Sequence, residues 1–302
     1  MKLIASVLAS ALGLFTIASC NNSNYSSTSA TDTSAAKQDT AKASSNAGST
    51  ANFKLGVQMW TFRVFSFADA LNKVDSAKIK YIEAFWGQKL GADMKGEFGI
   101  KMTPEDKEKL KKLLQSKGIS IVAMGVISPG TKDEWVKAFE LAKEFGLSYI
   151  TAEPKKEFWN LVDSLGGAYG IKIAIHDHPK PNAFSSPDSV LVAMQGHPNI
   201  GACADIGHWS RNGLNPVECL KKLDGHVYGV HLKDIVKFDD PKAADTVVSK
   251  GVINVPAVLA ELKRQNFSGM LSIEHESNWY NSLPDIIFTK EYYDAEIAKL
   301  NK

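Results

Sequence analysis

Eight short apolar runs, each of strand length and separated by helix-like stretches, restrict residues 53 to 302 to very few architectures. The runs are LGVQMW, KYIEAFW, ISIVAMGV, SYITAEP, IKIAIHDHP, IGACADIGHW, VYGVHLKD and MLSIEHE. Strict alternation of strand and helix predicts a parallel sheet. Eight such units in a chain of about 250 residues fit a closed (β/α)8 barrel, an α/β fold whose working side chains sit at the C-terminal ends of the strands. The competing architecture is a doubly wound open sheet. It is disfavoured because no strand leads into a G-x-G-x-x-G turn and because the later strand ends carry chemistry one after another.

Local signals mark the helices between the runs. Thr103-Pro104-Glu105-Asp106 supplies an N-cap, a proline at the first helical position and an acidic first turn, with Leu110, Leu113 and Leu114 on one face and Gly118 as the stop. Asp133 to Phe145 repeats the pattern with Trp135, Phe139 and Ala142 at helical spacing before Gly146. Ser186 to Met194, Pro216 to Leu223 and Pro256 to Asn266 fill the corresponding gaps further on.

The N-terminus reads differently. Met1 and Lys2 precede an apolar stretch from Ile4 to Ile17, too short for a convincing membrane span, so residues 1–19 are expected to be an export signal. Ile17-Ala18-Ser19-Cys20 resembles a bacterial lipobox, which makes Cys20 the expected lipid-bearing residue. Residues 20–51 are Ser, Thr, Asn and Ala with almost no large apolar side chain, a composition that cannot offset its ordering entropy and reads as a flexible tether. The catalytic domain is then expected over residues 52–302, and the protein in the periplasm, touching a membrane only through its lipid. A net charge of +2 offers no basic surface for nucleic acid. Besides Cys20 only Cys203 and Cys219 occur, too few and too separated for a disulfide framework or a thiolate metal site.

Four strand ends carry metal-type ligands: Glu153, Asp205, His231 and Glu274. Asp205 is followed three residues later by His208, and the small Gly201, Ala202 and Ala204 precede it. The period of two puts His231 and Lys233 on one strand face, and Glu274 with Glu276 on another. Two Glu, one Asp and one His make a hard, mostly oxygen site suited to Mn²⁺ first, with Mg²⁺, Co²⁺, Fe²⁺ or Zn²⁺ as alternatives. His176 and His178, two apart in I-H-D-H-P, can both face the barrel mouth as acid/base groups or as a further metal pair.

In that order the motifs resemble the xylose isomerase-like TIM-barrel family of sugar isomerases, ketose epimerases, inosose dehydratases and keto-glycoside lyases. The family's strand-four Glu, its D-x-x-H, its H-x-K-D and its late Glu are met by Glu153, by Asp205 with His208, by His231 with Lys233 and Asp234, and by Glu274. The resemblance implies that Glu153, Asp205, His231 and Glu274 hold one divalent metal ion. It further implies substrate-facing roles for the opening G-V-Q-M-W-T-F, for Glu83 and for Lys233. Trp60, Trp86 and Trp209 follow strand ends, where an indole either stacks on a sugar or caps the barrel, and Arg63 and Arg211 lie close by as solvent-permitted cations.

By resemblance, such a site polarises a ketone and removes the neighbouring C–H proton, with epimerisation, isomerisation or elimination as possible fates of the enediolate. The expected location favours glycosides over cytoplasmic sugar phosphates, and therefore elimination. The leading expectation is a 3-keto-glucoside 1,2-lyase, with Glu153 or Glu274 stabilising the enediolate and His176, His178 and His208 supplying base and acid. A ketose 3-epimerase or aldose–ketose isomerase is the alternative, and a non-catalytic sugar-binding lipoprotein is a third reading.

Overall fold

The computed structural model describes residues 48–302; the export signal, Cys20 and residues 20–47 of the tether lie outside the described residues. From the first strand onward the chain runs β1 (Lys54–Gln58), α1 (Phe67–Ser76), β2 (Tyr81–Phe85), β3 (Lys89–Gly91), β4 (Met94–Glu97), α2 (Pro104–Lys117) and β5 (Ser120–Ile127). It continues through α3 (Lys132–Glu144), β6 (Tyr149–Ala152), α4 (Trp159–Tyr169), β7 (Lys172–His176), α5 (Pro187–Met194), β8 (Ile200–Asp205) and α6 (Ile206–Arg211). The last part holds α7 (Pro216–Lys222), β9 (Val227–Leu232), β10 (Asp234–Ile235), β11 (Asp245–Thr246), α8 (Val255–Arg264), β12 (Met270–Ile273) and α9 (Leu283–Leu300).

All eight apolar runs become strands of one closed parallel barrel, ordered β1-β12-β9-β8-β7-β6-β5-β2. Two short antiparallel hairpins, β3–β4 and β10–β11, stand outside it in the βα loops. Both were invisible to the periodicity argument, because neither carries an apolar run.

The cap and the stop predicted for α2 are present, and α3 has a cap that the sequence reading did not name. Thr103 accepts from the Asp106 backbone N–H at the start of α2, and Gly118 ends that helix in the left-handed region at φ 59°. Thr131 and Glu134 form a reciprocal capping box on α3, each side chain satisfying an otherwise orphaned backbone N–H. One run behaves differently: IGACADIGHW is strand only as far as Asp205, which then caps α6 by accepting from the His208 N–H at 2.8 Å. His208 and Trp209 therefore project from a helical turn, and Trp209 is fully buried.

Apolar side chains such as Leu71, Trp135, Phe139 and Leu262 build the main core, while a smaller plug is made by Val122, Tyr149, Ala174, Cys203 and Met270. Along the strands, Ala174, Cys203, Gly229 and Ser272 share a face with His176, Asp205, His231 and Glu274. The side chains beneath the site are therefore small or polar except where Tyr149 fills the space. Gly229 answers that ring, since a Cβ there would lie 2.5 Å from the Tyr149 hydroxyl.

Candidate metal centre and catalytic pocket

Register brings the strand ends level. Asp205 on β8 pairs with His231 on β9, and His176 on β7 pairs with Cys203, two residues before Asp205. As a result His176, Asp205, His231 and Glu274 offer ligand atoms that all lie within 4.8 Å of one another, every residue buried. His231 Nδ1 is 3.1 Å from His176 Nε2 and 3.1 Å from Glu274 Oε2. Asp205 Oδ2 lies 3.6 Å from His176 Nε2 and 3.7 Å from His231 Nδ1. It is buried and accepts no well-formed hydrogen bond, its one charged neighbour outside the cluster being the Lys233 ammonium at 3.2 Å, so it is an oxygen set to face a cation.

The opposite nitrogen of His231 is fixed from within the barrel. Its Nε2–H donates to Glu83 at 3.0 Å, and Ser272 donates to the same carboxylate oxygen at 2.9 Å. A histidine whose Nε2 carries the hydrogen presents its Nδ1 lone pair to the cluster, the carboxylate–histidine arrangement that orients metal ligands. Glu83, fully buried beneath His231, has no surface toward a substrate, so the structure moves it from substrate contact to ligand support.

Glu153, expected among the metal ligands, lies one residue beyond β6 and outside the four-residue cluster, in a second group with His176 and His178 whose ligand atoms also lie within 4.8 Å of one another. Its carboxylate accepts from His178 Nδ1 through a short contact and from Asn182 at 3.0 Å, with His176 Nδ1 3.6 Å away. Burial pushes this carboxyl up, but the nearby His176 imidazole and the His178 hydrogen bond outweigh it and hold it well below the usual carboxylate range. His178 in its neutral form thus spends Nδ1–H on Glu153 and keeps an Nε2 lone pair.

His208 has the opposite tautomer. Arg211 Nη1 donates to its Nδ1 at 2.9 Å, and a guanidinium can only donate, so the ring hydrogen sits on Nε2. Nε2 is 3.6 Å from Asp205 Oδ2, too far for a hydrogen bond. Burial depresses the His208 pKa far below its ordinary value, and Lys233 and the other imidazoles add to that against the opposing pull of Asp205. Arg211 is itself buried, held by Asp245 through a short ion pair and by the Ala243 carbonyl at 3.0 Å. It is therefore a positioning group for His208 and not the solvent-permitted cation the sequence implied.

Lys233, expected to face substrate, is fully enclosed. Its Nζ lies 2.5 Å from Glu276, 2.9 Å from Glu274 and 3.2 Å from Asp205. Burial opposes the ammonium, yet these carboxylates hold its pKa well above the ordinary lysine value. Its stem runs under α6, where a Cβ on Gly207 would come within 2.6 Å of it.

A cavity of about 280 Å³ opens over this constellation, lined by Trp60, Phe85, His176, His178, His208 and Glu274 among others. Trp60 stands where the sequence placed it. Trp86 lines a neighbouring cavity instead, and Trp209, wholly within the core, has no face free for a sugar. Asn182, Asp245 and Phe85 were not singled out from the sequence. Asn182 lies in a loop and Asp245 on the two-residue β11, neither with a compositional signal; Phe85, two residues from Glu83, was within reach of the period of two only as a neighbour on the same strand face.

The chain matches the family described as Xylose isomerase-like TIM barrel over residues 71–301. An inosose isomerase of Halalkalibacterium halodurans is 26% identical over 192 residues, which are 56% of this chain and 63% of that protein. An inosose dehydratase of Clostridium botulinum is 29% identical over 145 residues, 41% of this chain and 49% of the relative. The matches thus span from about half to just under two thirds of these curated relatives. Among solved structures, an uncharacterized protein from Parabacteroides distasonis is 34% identical, with 81% of this chain and 99% of that one covered at a TM-score of 0.67. The structure of an IOLI protein with a bound zinc atom superposes with a TM-score of 0.66 at 19% identity, covering 82% of this chain and 99% of that one, a likeness of fold.

Proposed function

The chain belongs to the xylose isomerase-like TIM-barrel family, and from that premise we propose that it is a divalent-metal-dependent lyase that eliminates the C1 substituent of a 3-keto-glycoside. The metal would be held by His176, Asp205, His231 and Glu274. A set of two imidazoles and two carboxylates suits Mn²⁺ and brings Zn²⁺ closer than the more oxygen-rich set expected from the sequence. When bound there, the ion would supply Lewis-acid polarisation of the substrate's ketone oxygen.

One observation favours elimination. His178 and His208 stand with ring centroids 4.9 Å apart, one keeping a free Nε2 lone pair and the other an Nε2–H. Removing a proton from C2 and delivering one to the oxygen on C1 requires a base and an acid side by side, because the two carbons are adjacent. His178, backed by Glu153 as an aspartate backs a catalytic histidine, takes the C2 proton. The C2–H pair becomes the C1=C2 double bond, the C1–O bond breaks, and neutral His208 gives its Nε2 proton to the departing oxygen, the imidazolate so formed being held by the Arg211 guanidinium at Nδ1 until it regains a proton from solvent. The products are a 1,2-unsaturated 3-ketone and a free alcohol, with no net oxidation. Kinship with an inosose dehydratase, also an eliminating enzyme by name, supports this reading. The export signal read in the sequence supports glycosides as the substrates.

Epimerisation is the second reading, supported by kinship with an inosose isomerase. It needs two groups on opposite faces of the sugar, whereas Glu153 is engaged by His178 and Asn182. The test is release of p-nitrophenol from its 3-keto-glucoside by protein loaded with Mn²⁺. The lyase reading expects steady release that falls at least a hundredfold in His178→Ala and in Glu153→Gln, in keeping with general acid–base contributions of about 10²–10⁴. Deuterium incorporation at C2 without nitrophenol would establish the epimerase instead.

A further inference from the structure

Next to the metal centre lies a second cavity, of about 390 Å³, at the ends of β2 and β5. Val126 lines both cavities, so the two share a wall on the catalytic face of the barrel. Its other walls come from Trp86, from the segment after the β3–β4 hairpin around Gly99 and Ile100, and from the β5–α3 loop at Ser128 and Pro129.

The walls are held in place independently of any ligand. Gly87 N donates to Phe98 O at 2.8 Å and Phe98 N donates to Gln88 O at 2.8 Å, which pins the segment after the hairpin onto the end of β2. Phe98 stacks on Phe67 of α1 with centroids 5.4 Å apart. The backbone at Gly99 packs against Trp86, where even a Cβ would meet the indole in ordinary contact at 3.4 Å. Half-buried Trp86 is therefore supported by backbone, and Lys101 and Glu97 stand exposed at the rim. Ser128 donates to the Glu153 carbonyl at 3.0 Å, which ties this loop to the carboxylate that backs His178. A rigid aromatic with apolar neighbours and a few polar groups at the edge is how proteins bind a ring that carries hydroxyls on its perimeter.

We infer that this second cavity is a subsite for the C1 substituent of the substrate, a second sugar ring or comparable ring system, so that the protein acts on keto-disaccharides and larger glycosides in preference to simple keto-sugars. The inference rests on the proposed lyase reading and specifies its substrate class. Trp86 then works on the departing ring, while Trp60 works on the ketone-bearing one.

The test compares a disaccharide bearing a 3-keto ring at its non-reducing end with the corresponding methyl 3-keto-glucoside, in both α- and β-linked series. It uses the Mn²⁺-loaded protein and its Trp86→Ala and Ile100→Trp variants. In at least one series the wild type is expected to show kcat/KM at least tenfold higher for the disaccharide, and both variants are expected to bring the ratio close to one. A ratio near one in the wild type, or one that survives both substitutions, overturns the subsite and leaves the lyase reading standing. Calorimetric binding of cellobiose and maltose against the methyl glucosides, none of which carries a ketone, separates the two claims if no keto-sugar is turned over. Tenfold tighter binding of a disaccharide that is lost in Ile100→Trp upholds the subsite while the lyase reading falls; equal binding overturns both.

Discussion

Arg211 donates to Nδ1 of His208 at 2.9 Å and so decides which nitrogen of that imidazole carries the hydrogen. In Arg211→Met the constraint is gone and the ring samples both tautomers. In this variant kcat is expected to fall by about 10²-fold, the lower end of what a lost acid contributes, with KM changed far less. Steady-state kinetics on an activated and an unactivated 3-keto-glucoside check it. The unactivated alcohol needs its proton most, so it is expected to suffer the larger loss; equal loss on both would remove His208 as the acid.

Glu83 is the support of His231 from below. Glu83→Gln retains the shape but can turn its amide N–H₂ toward Nε2 and reverse the tautomer. Loss of such a partner is typically worth about 10- to 100-fold in metal affinity. Competition with a fluorescent chelator measures this directly, and unchanged affinity would show that His231 is not held for a metal.

Lys233 meets Asp205 and Glu274, the carboxylates that would also hold the proposed metal ion. Removing the ammonium in Lys233→Met leaves buried negative charge uncompensated, a defect of about 3–5 kcal/mol in comparable buried pairs. The expected result is a marked fall in Tm for the chelator-treated protein and partial recovery in Mn²⁺, because binding to the folded state alone stabilises it. Equal Tm loss with and without metal would contradict a cation among these oxygens. Gly207→Ala is expected to produce a milder version by crowding the Lys233 stem, about 1–3 kcal/mol as overpacking usually costs.

Burial raises the Cys203 and Cys219 thiols to about 12 each. With pKa values displaced upward, the reactive thiolate is about one part in ten thousand at pH 8 and grows only as pH approaches 12. Native protein is therefore expected to resist iodoacetamide at pH 8, whereas guanidine-unfolded protein reacts fully; mass spectrometry of residues 48–302 decides it. Rapid native labelling of either residue would show that its core opens.

The barrel was legible because its information is local. Eight apolar runs, the Thr103 cap and the Gly118 stop each act within a few residues, and each appears in the structure. Asp205, His231 and Glu274 could be brought together from strand ends alone. His176 entered their cluster through the inter-strand register of β7 and β8, which a period of two within one strand does not contain. Glu153 went to His178 and Asn182 because the loop after β7 returns over the barrel mouth, a consequence of chain path that no spacing encodes. Burial of Trp209 and Lys233 was hidden for a similar reason: the run through Asp205 turns into α6 and closes over them.

The most direct test is a proton NMR time course in D₂O of residues 48–302 with a methyl 3-keto-glucoside, with and without Mn²⁺. Metal-dependent appearance of methanol together with a 1,2-unsaturated 3-ketone, both abolished in His178→Ala, is the predicted result. Exchange of the C2 proton for deuterium with the methyl glycoside intact would contradict the elimination and leave an epimerase in its place.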